Sequence, residues 1–187
     1  MKPLFIALLL CVGLTSAKAQ MLEKKSFMVM NGYGYCHNEF ADGFGTVTTF
    51  LRSVNRWWGY GADLGITTGK GTEGPWGSNH EMRDTRMTRY FIGPSVYFTP
   101  LNIKRHLFYI GATVGYAHNN QINLLTEKQD NVFAKRWLTD KENGFGFGAN
   151  AGYSFKLAEH WSIGARAYFH HFNEYSISGL LNLGIHF

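Results

Sequence analysis

Eight stretches of this chain alternate large apolar residues with small or polar ones at a period of two, each for about ten to thirteen residues. Strict alternation over that distance is the pattern of a strand with two unlike faces. The length exceeds the five or six residues typical of a strand in a soluble sheet and suits a tilted strand that crosses a bilayer.

The first stretch, Ser26 to His37, sets Phe27, Val29, Tyr33 and Tyr35 against Met28, Met30, Gly32, Gly34 and Cys36. The second, Gly43 to Val54, alternates weakly and its phase stays open. The third, Trp57 to Thr68, sets Trp58, Tyr60, Leu64 and Ile66 against Gly59, Gly61, Asp63 and Gly65. The fourth, Arg86 to Phe98, sets Tyr90, Ile92 and Val96 against Phe91, Gly93, Ser95 and Tyr97. Pro94 removes a ladder donor there and predicts a bulge. The fifth (His106 to His118), sixth (Asn143 to Leu157), seventh (His160 to Phe172) and eighth (Ser176 to Phe187) repeat the pattern.

One face is the larger and more apolar throughout; the other is rich in glycine. A membrane barrel turns the apolar face outward, whereas a soluble ligand-binding barrel turns it inward. Aromatics choose between them. Phe27, Trp57, Trp58, Phe98, Phe108, Tyr153, Phe155, Trp161 and Phe187 fall at one level, and Tyr33, Tyr35, Tyr90, Tyr116, Phe145, Phe147 and Phe169 at another. Two such belts match the two membrane interfaces. The predicted fold is therefore all-β, an eight-stranded antiparallel transmembrane β-barrel.

The N-terminus fits export. Lys2 precedes an apolar run from Leu4 to Leu14, and Ala17-Lys18-Ala19 offers a cleavage site before Gln20. Residues 1–19 are thus expected to be a Sec-type signal peptide, and 20–187 the barrel domain. A lipid-modified Cys11 is disfavoured by the short apolar run before it. Cys36 then stands alone, so no intramolecular disulfide forms. The basic residues are scattered, which gives no reason to propose nucleic acid. No cofactor or metal is expected: His170 and His171 are adjacent and point to opposite faces of a strand.

Short links follow strands two, four and six (Asn55-Arg56, Thr99 to Arg105, Ala158-Glu159). Long polar links follow strands three and five (69–85 and 119–142). In membrane barrels the short turns face the periplasm, which places both termini there and the long loops outside. Those loops are the expected contact with an extracellular partner.

The last residues, Gly179-Leu-Leu-Asn-Leu-Gly-Ile-His-Phe187, alternate and end on an aromatic. They resemble the terminal assembly signal of outer-membrane barrels. With the strand count, the mature chain resembles the small outer membrane β-barrel family of the OmpX and OmpA transmembrane-domain kind. The resemblance implies an integral monomer of the bacterial outer membrane, with Phe187 presented to the barrel-assembly machinery and lipids including lipopolysaccharide as surroundings. It leaves function open, because one architecture serves several roles.

A structural, surface-contact or envelope-integrity role without catalysis is the leading expectation. A narrow pore for small solutes is a further alternative, although eight strands leave an interior that side chains can fill. A lipid A acyl hydrolase is the enzymatic alternative. His171, Glu174 and Ser176 loosely resemble the His-x-Ser site of lipid A deacylases, as base, orienter and nucleophile. The match is incomplete: Asn173 stands where that family has serine. Finally, Asp63 and Arg166 fall on the inward face at similar depth in opposite strands. A buried charge needs a partner, so an ion pair across the lumen is expected.

Overall fold

The structure is a computed structural model that describes residues 26–38, 41–71, 74–76, 80–129 and 132–187. The expected signal peptide, residues 1–19, lies outside the described residues. Among the described residues nine strands follow one another: β1 (Phe27–Asn38), β2 (Asp42–Ser53), β3 (Trp58–Gly71), β4 (Gly74–Trp76), β5 (His80–Ile103), β6 (His106–Gln129), β7 (Val132–Lys156), β8 (Trp161–Phe172) and β9 (Glu174–His186). Sequential neighbours pair antiparallel, β1 pairs with β9, and β3 passes over β4 to pair with β5. That closes a ring of eight. The three-residue β4 pairs only with the start of β5, outside the ring. Closure satisfies the strands' backbone donors and acceptors within the sheet, which a hydrocarbon surrounding demands.

Burial follows the alternation, but with the polarity of a soluble protein reversed. Asp63 and Arg166 are 0% and 2% exposed, while Phe145 and Leu181 are 82% and 74% exposed. Water would not tolerate so apolar an outer wall on a monomer, and lipid requires it. β2 takes the phase that the sequence left open: Val47, Thr49, Leu51 and Ser53 point in, while Phe44 and Phe50 stand on the wall.

Three strands are much longer than expected. β5, β6 and β7 have 24, 24 and 25 residues, against 12 or 13 for β1, β2, β8 and β9. The stretch 119–142, expected as a polar loop, continues the β6–β7 ladder in one register from His106↔Phe155 to Gln129↔Val132. Once register is set inside the membrane, each further pair satisfies its own backbone groups and needs no apolar face. At the other end, Thr99 to Arg105 is also mostly strand. Leu101, Asn102 and Ile103 pair with Phe108, Leu107 and His106, so the turn tightens to Lys104-Arg105, with Lys104 at φ 51°.

The bulge expected at Pro94 is not there. The ladder to β6 skips Gly93 and Pro94 and resumes in the same register. The shift comes instead between Phe98 and Leu101, the interval that contains Pro100, with a second between Met82 and Asp84. The missing donor of Pro94 is accommodated by leaving two residues unpaired on one side. At Pro100 an extra residue is absorbed where the strand nears its turn.

Candidate functional site

Two clusters of buried side chains occupy the lumen among the described residues. Near the end that carries the termini, Met28, Met30, Leu51, Tyr97, Leu107 and Tyr109 form one buried cluster. Nearer the opposite end, called here the loop end, Val47, Phe91, Ala117, Tyr168, Phe172 and Leu180 form another. Polar groups lie between and above these layers.

Asp63 is the centre of the middle layer. Its Oδ1 accepts from Thr49 Oγ1 at 2.5 Å and from the Tyr97 hydroxyl at 2.6 Å; its Oδ2 accepts from Thr113 Oγ1 at 2.5 Å. Arg166 donates through Nη1 to Thr49 Oγ1 at 2.6 Å and through Nη2 to the Val47 carbonyl at 3.0 Å. The expected link between Asp63 and Arg166 is therefore a bridge and not a contact. Thr49 accepts from the cation and donates to the anion, and no direct ion pair joins the two among the described residues. A glycine makes room for this: a Cβ on Gly32 would come within 3.2 Å of Arg166 Nη2 and 2.2 Å of Asn182 Oδ1.

A second charged pair lies nearer the loop end. Arg89, 3% exposed, donates through Nη2 to Glu174 Oε2 at 3.3 Å. This bears on the enzymatic alternative, because Glu174 was its orienting acid. The other members go elsewhere. His171 faces outward and stacks on Phe147, ring centroids 5.1 Å apart. Ser176 faces inward and shares a 3.0 Å hydrogen bond with Cys36 Sγ. His170, opposite Ser176 in the ladder, is buried against Phe91 at 4.1 Å between centroids. The strand period splits His171 from Ser176 across the sheet, so the three residues are not assembled into a triad.

Phe187 sits at the seam. Its N–H donates to the Phe27 carbonyl at 2.8 Å, and the Phe27 N–H returns a bond at 3.1 Å. The two rings are 6.0 Å apart, with Phe187 facing outward. At the loop end of the wall, His37 and Asp42 face one another across β1 and β2. His37 Nδ1 lies 2.5 Å from Asp42 Oδ1.

Sequence reasoning missed Thr49, Tyr97, Thr113 and the Arg89–Glu174 pair as site residues. Tyr97 and Thr113 carried a usable signal, for both share the inward parity of Asp63 in their strands. Thr49 did not, because the phase of β2 was open.

The chain matches the outer membrane protein beta-barrel domain over residues 6–187. It belongs to that family. Membership places it in the bacterial outer membrane. Its structural neighbours are small barrels of the same membrane. OprG from Pseudomonas aeruginosa aligns with a TM-score of 0.64 at 11% identity, covering 91% of this chain and 99% of that chain. Ail, the attachment invasion locus protein of Yersinia pestis, solved with the heparin analogue sucrose octasulfate, aligns at 0.58 and 13%, covering 88% and 99%. Neisserial surface protein A aligns at 0.54 and 15%, covering 85% and 96%. At such identities the likeness is one of fold. No curated protein matches the chain.

Proposed function

We propose that this outer-membrane barrel is a non-enzymatic surface protein that makes contacts through the sheet formed by the long ends of β5, β6 and β7, with both termini in the periplasm. The observation that carries this reading is strand length. β6 and β7 each exceed β1 by a dozen residues or more, which at about 3.3 Å per residue extends the sheet roughly 40 Å along the strands. A sheet of that reach is unnecessary for spanning a bilayer and well suited to contact beyond the lipid. It carries Lys135, Arg136, Asp140 and Lys141 exposed, and Trp137 at 56% exposure. An exposed tryptophan among charges is a natural anchor for a partner. Export by a signal peptide at residues 1–19 and delivery through Phe187 to the barrel-assembly machinery belong to the same proposal.

The dispersal of His171, Glu174 and Ser176 supports the absence of catalysis. An epitope inserted between Gln129 and Val132 tests the orientation: it should be labelled on intact cells, and labelling only after permeabilisation would reverse it. Purified, refolded protein should leave labelled lipid A unhydrolysed. Hydrolysis that disappears in His171→Ala would replace this reading with the enzymatic one.

A further inference from the structure

A cleft of about 460 Å³ lies in the outer wall at the loop end, where β2, β3 and β5 meet. Its residues follow from register. Asp42, Lys70 and Arg86 are cross-strand neighbours in one row, and Phe44, Thr68 and Thr88 form the next row toward the barrel's middle. All six line the cleft. Phe44 is 55% exposed and packs with Tyr33 and Tyr35, ring centroids 5.9 and 6.2 Å away. The floor is thus continuous with the aromatic belt on this side of the membrane.

The row above the floor is electrostatically odd. Lys70 and Arg86 stand directly opposite one another, and like charges in that position repel. Two carboxylates are near: one is drawn to His37, and the other pairs loosely with Arg86. Asp42 is held by His37 at 2.5 Å, on the side away from Lys70. Asp84 lies 3.8 Å from Arg86 Nε, beyond hydrogen-bond length. Lys70 makes no ion pair among the described residues. The cleft therefore offers two cations side by side, hydroxyls beneath them, and an apolar ring facing the bilayer.

We propose that this cleft docks the anionic phosphate headgroup of a membrane lipid, with Lys70 and Arg86 taking the phosphate and Phe44 covering the first segment of the acyl chain. The chemistry matches at each level. Arg86 can present two parallel N–H groups to phosphate oxygens, and Lys70 acts as a point charge. The phosphate relieves their repulsion, and Thr88 supplies a donor to its lower oxygens; the Thr68 hydroxyl donates to the Phe44 carbonyl at 3.5 Å. A belt aromatic fixes the depth at which headgroup and chain part. The proposal goes beyond the preceding reading and rests only on the barrel lying in a bilayer, not on which compartment the loop end faces.

The test uses the whole refolded protein in detergent, with bound lipid counted by native mass spectrometry. The probes are phosphatidic acid, phosphatidylcholine of the same chains, and inorganic phosphate. Phosphatidic acid should be retained over phosphatidylcholine, and in Lys70→Gln/Arg86→Gln its retention should fall about thirtyfold, the loss expected for two basic groups at an anionic headgroup. Lys104→Gln/Arg105→Gln, at the opposite end, should keep wild-type retention. Heat-modifiable migration on gels verifies that each variant is folded. Unchanged phosphatidic acid retention in the Lys70/Arg86 variant overturns the proposal. So does equal retention of the two lipids, or displacement of the lipid by equimolar inorganic phosphate, which would mean a free-ion site. Failure of surface labelling at the Gln129–Val132 insertion leaves these outcomes untouched, so the two readings fail separately.

Discussion

Thr49 has one proton to give and one acceptor position in use, and both are spent on charge. It passes the field of Arg166 to Asp63 without the two charges touching. Three hydroxyl donors satisfy the carboxylate, and its burial is tolerable for that reason. Removing one charge leaves the other uncompensated, so Asp63→Ala should cost about 3–5 kcal/mol in urea unfolding from micelles. The double variant with Arg166→Ala should be milder than the sum of the singles. Thr49→Val should cost about 1–3 kcal/mol and shrink that coupling, because the bridge is gone. Strict additivity in both backgrounds would show that Thr49 transmits nothing.

Among the elements, the β6–β7 hairpin separates a part that must be in lipid from a part that need not be. Its register is unbroken, so equal lengths can be cut from both strands without moving any pair below the cut. Deleting Gln121 to Asp140 and joining Asn120 to Lys141 with a two-residue turn should leave a barrel that resists cold SDS and shifts on boiling, while any surface contact is lost. Loss of heat-modifiable migration would mean that the extension is needed to close the ring. The same hairpin marks where sequence reasoning stopped. Within the membrane each strand has unlike faces, and the in-out phases of β1, β3 and β5 to β9 were legible from the alternation. Beyond it both faces meet water, alternation carries no information, and 119–142 resembled a loop. β2 was opaque for another reason. It places Val47 and Leu51 inside but Thr46 and Thr48 on the wall, against the trend of the other strands. That one ambiguity hid Thr49, and with it the form of the contact between Asp63 and Arg166. At the closing seam, Phe187 contributes two backbone bonds to Phe27, and its deletion should reduce assembled protein in the outer membrane while export continues. Normal assembly of the truncated chain would remove the terminal residue from the assembly signal.

For the whole molecule, two buried clusters stand in series along the lumen among the described residues, and we expect each to act as a seal. The cluster around Met30, Leu51 and Tyr109 closes the end with the termini, and the cluster around Phe91, Tyr168 and Leu180 closes the half toward the loop end. The Asp63 layer lies between them, its hydroxyls and carboxylate turned on one another. Eight strands enclose a space that side chains fill, so each seal is ordinary core packing. Two seals in series have a consequence that one would not. An ion that passes either must still desolvate at the other, and conductance is set by whichever remains. Tyr109→Ala with Met30→Ala should therefore leave planar bilayers silent, as should Phe91→Ala with Tyr168→Ala. Only the four changes together should admit water along the whole axis and give resolvable channel steps. The Asp63 carboxylate at mid-depth should then favour cations, and adding Asp63→Asn should weaken that preference. Each large-to-small change costs about 2–5 kcal/mol in a packed core, so heat-modifiable migration must first show that the fourfold variant is folded. Channel steps from the unaltered protein would mean that the two clusters part in the membrane, and would make the narrow-pore alternative the better reading. Steps from either twofold variant would mean that the remaining cluster is no seal.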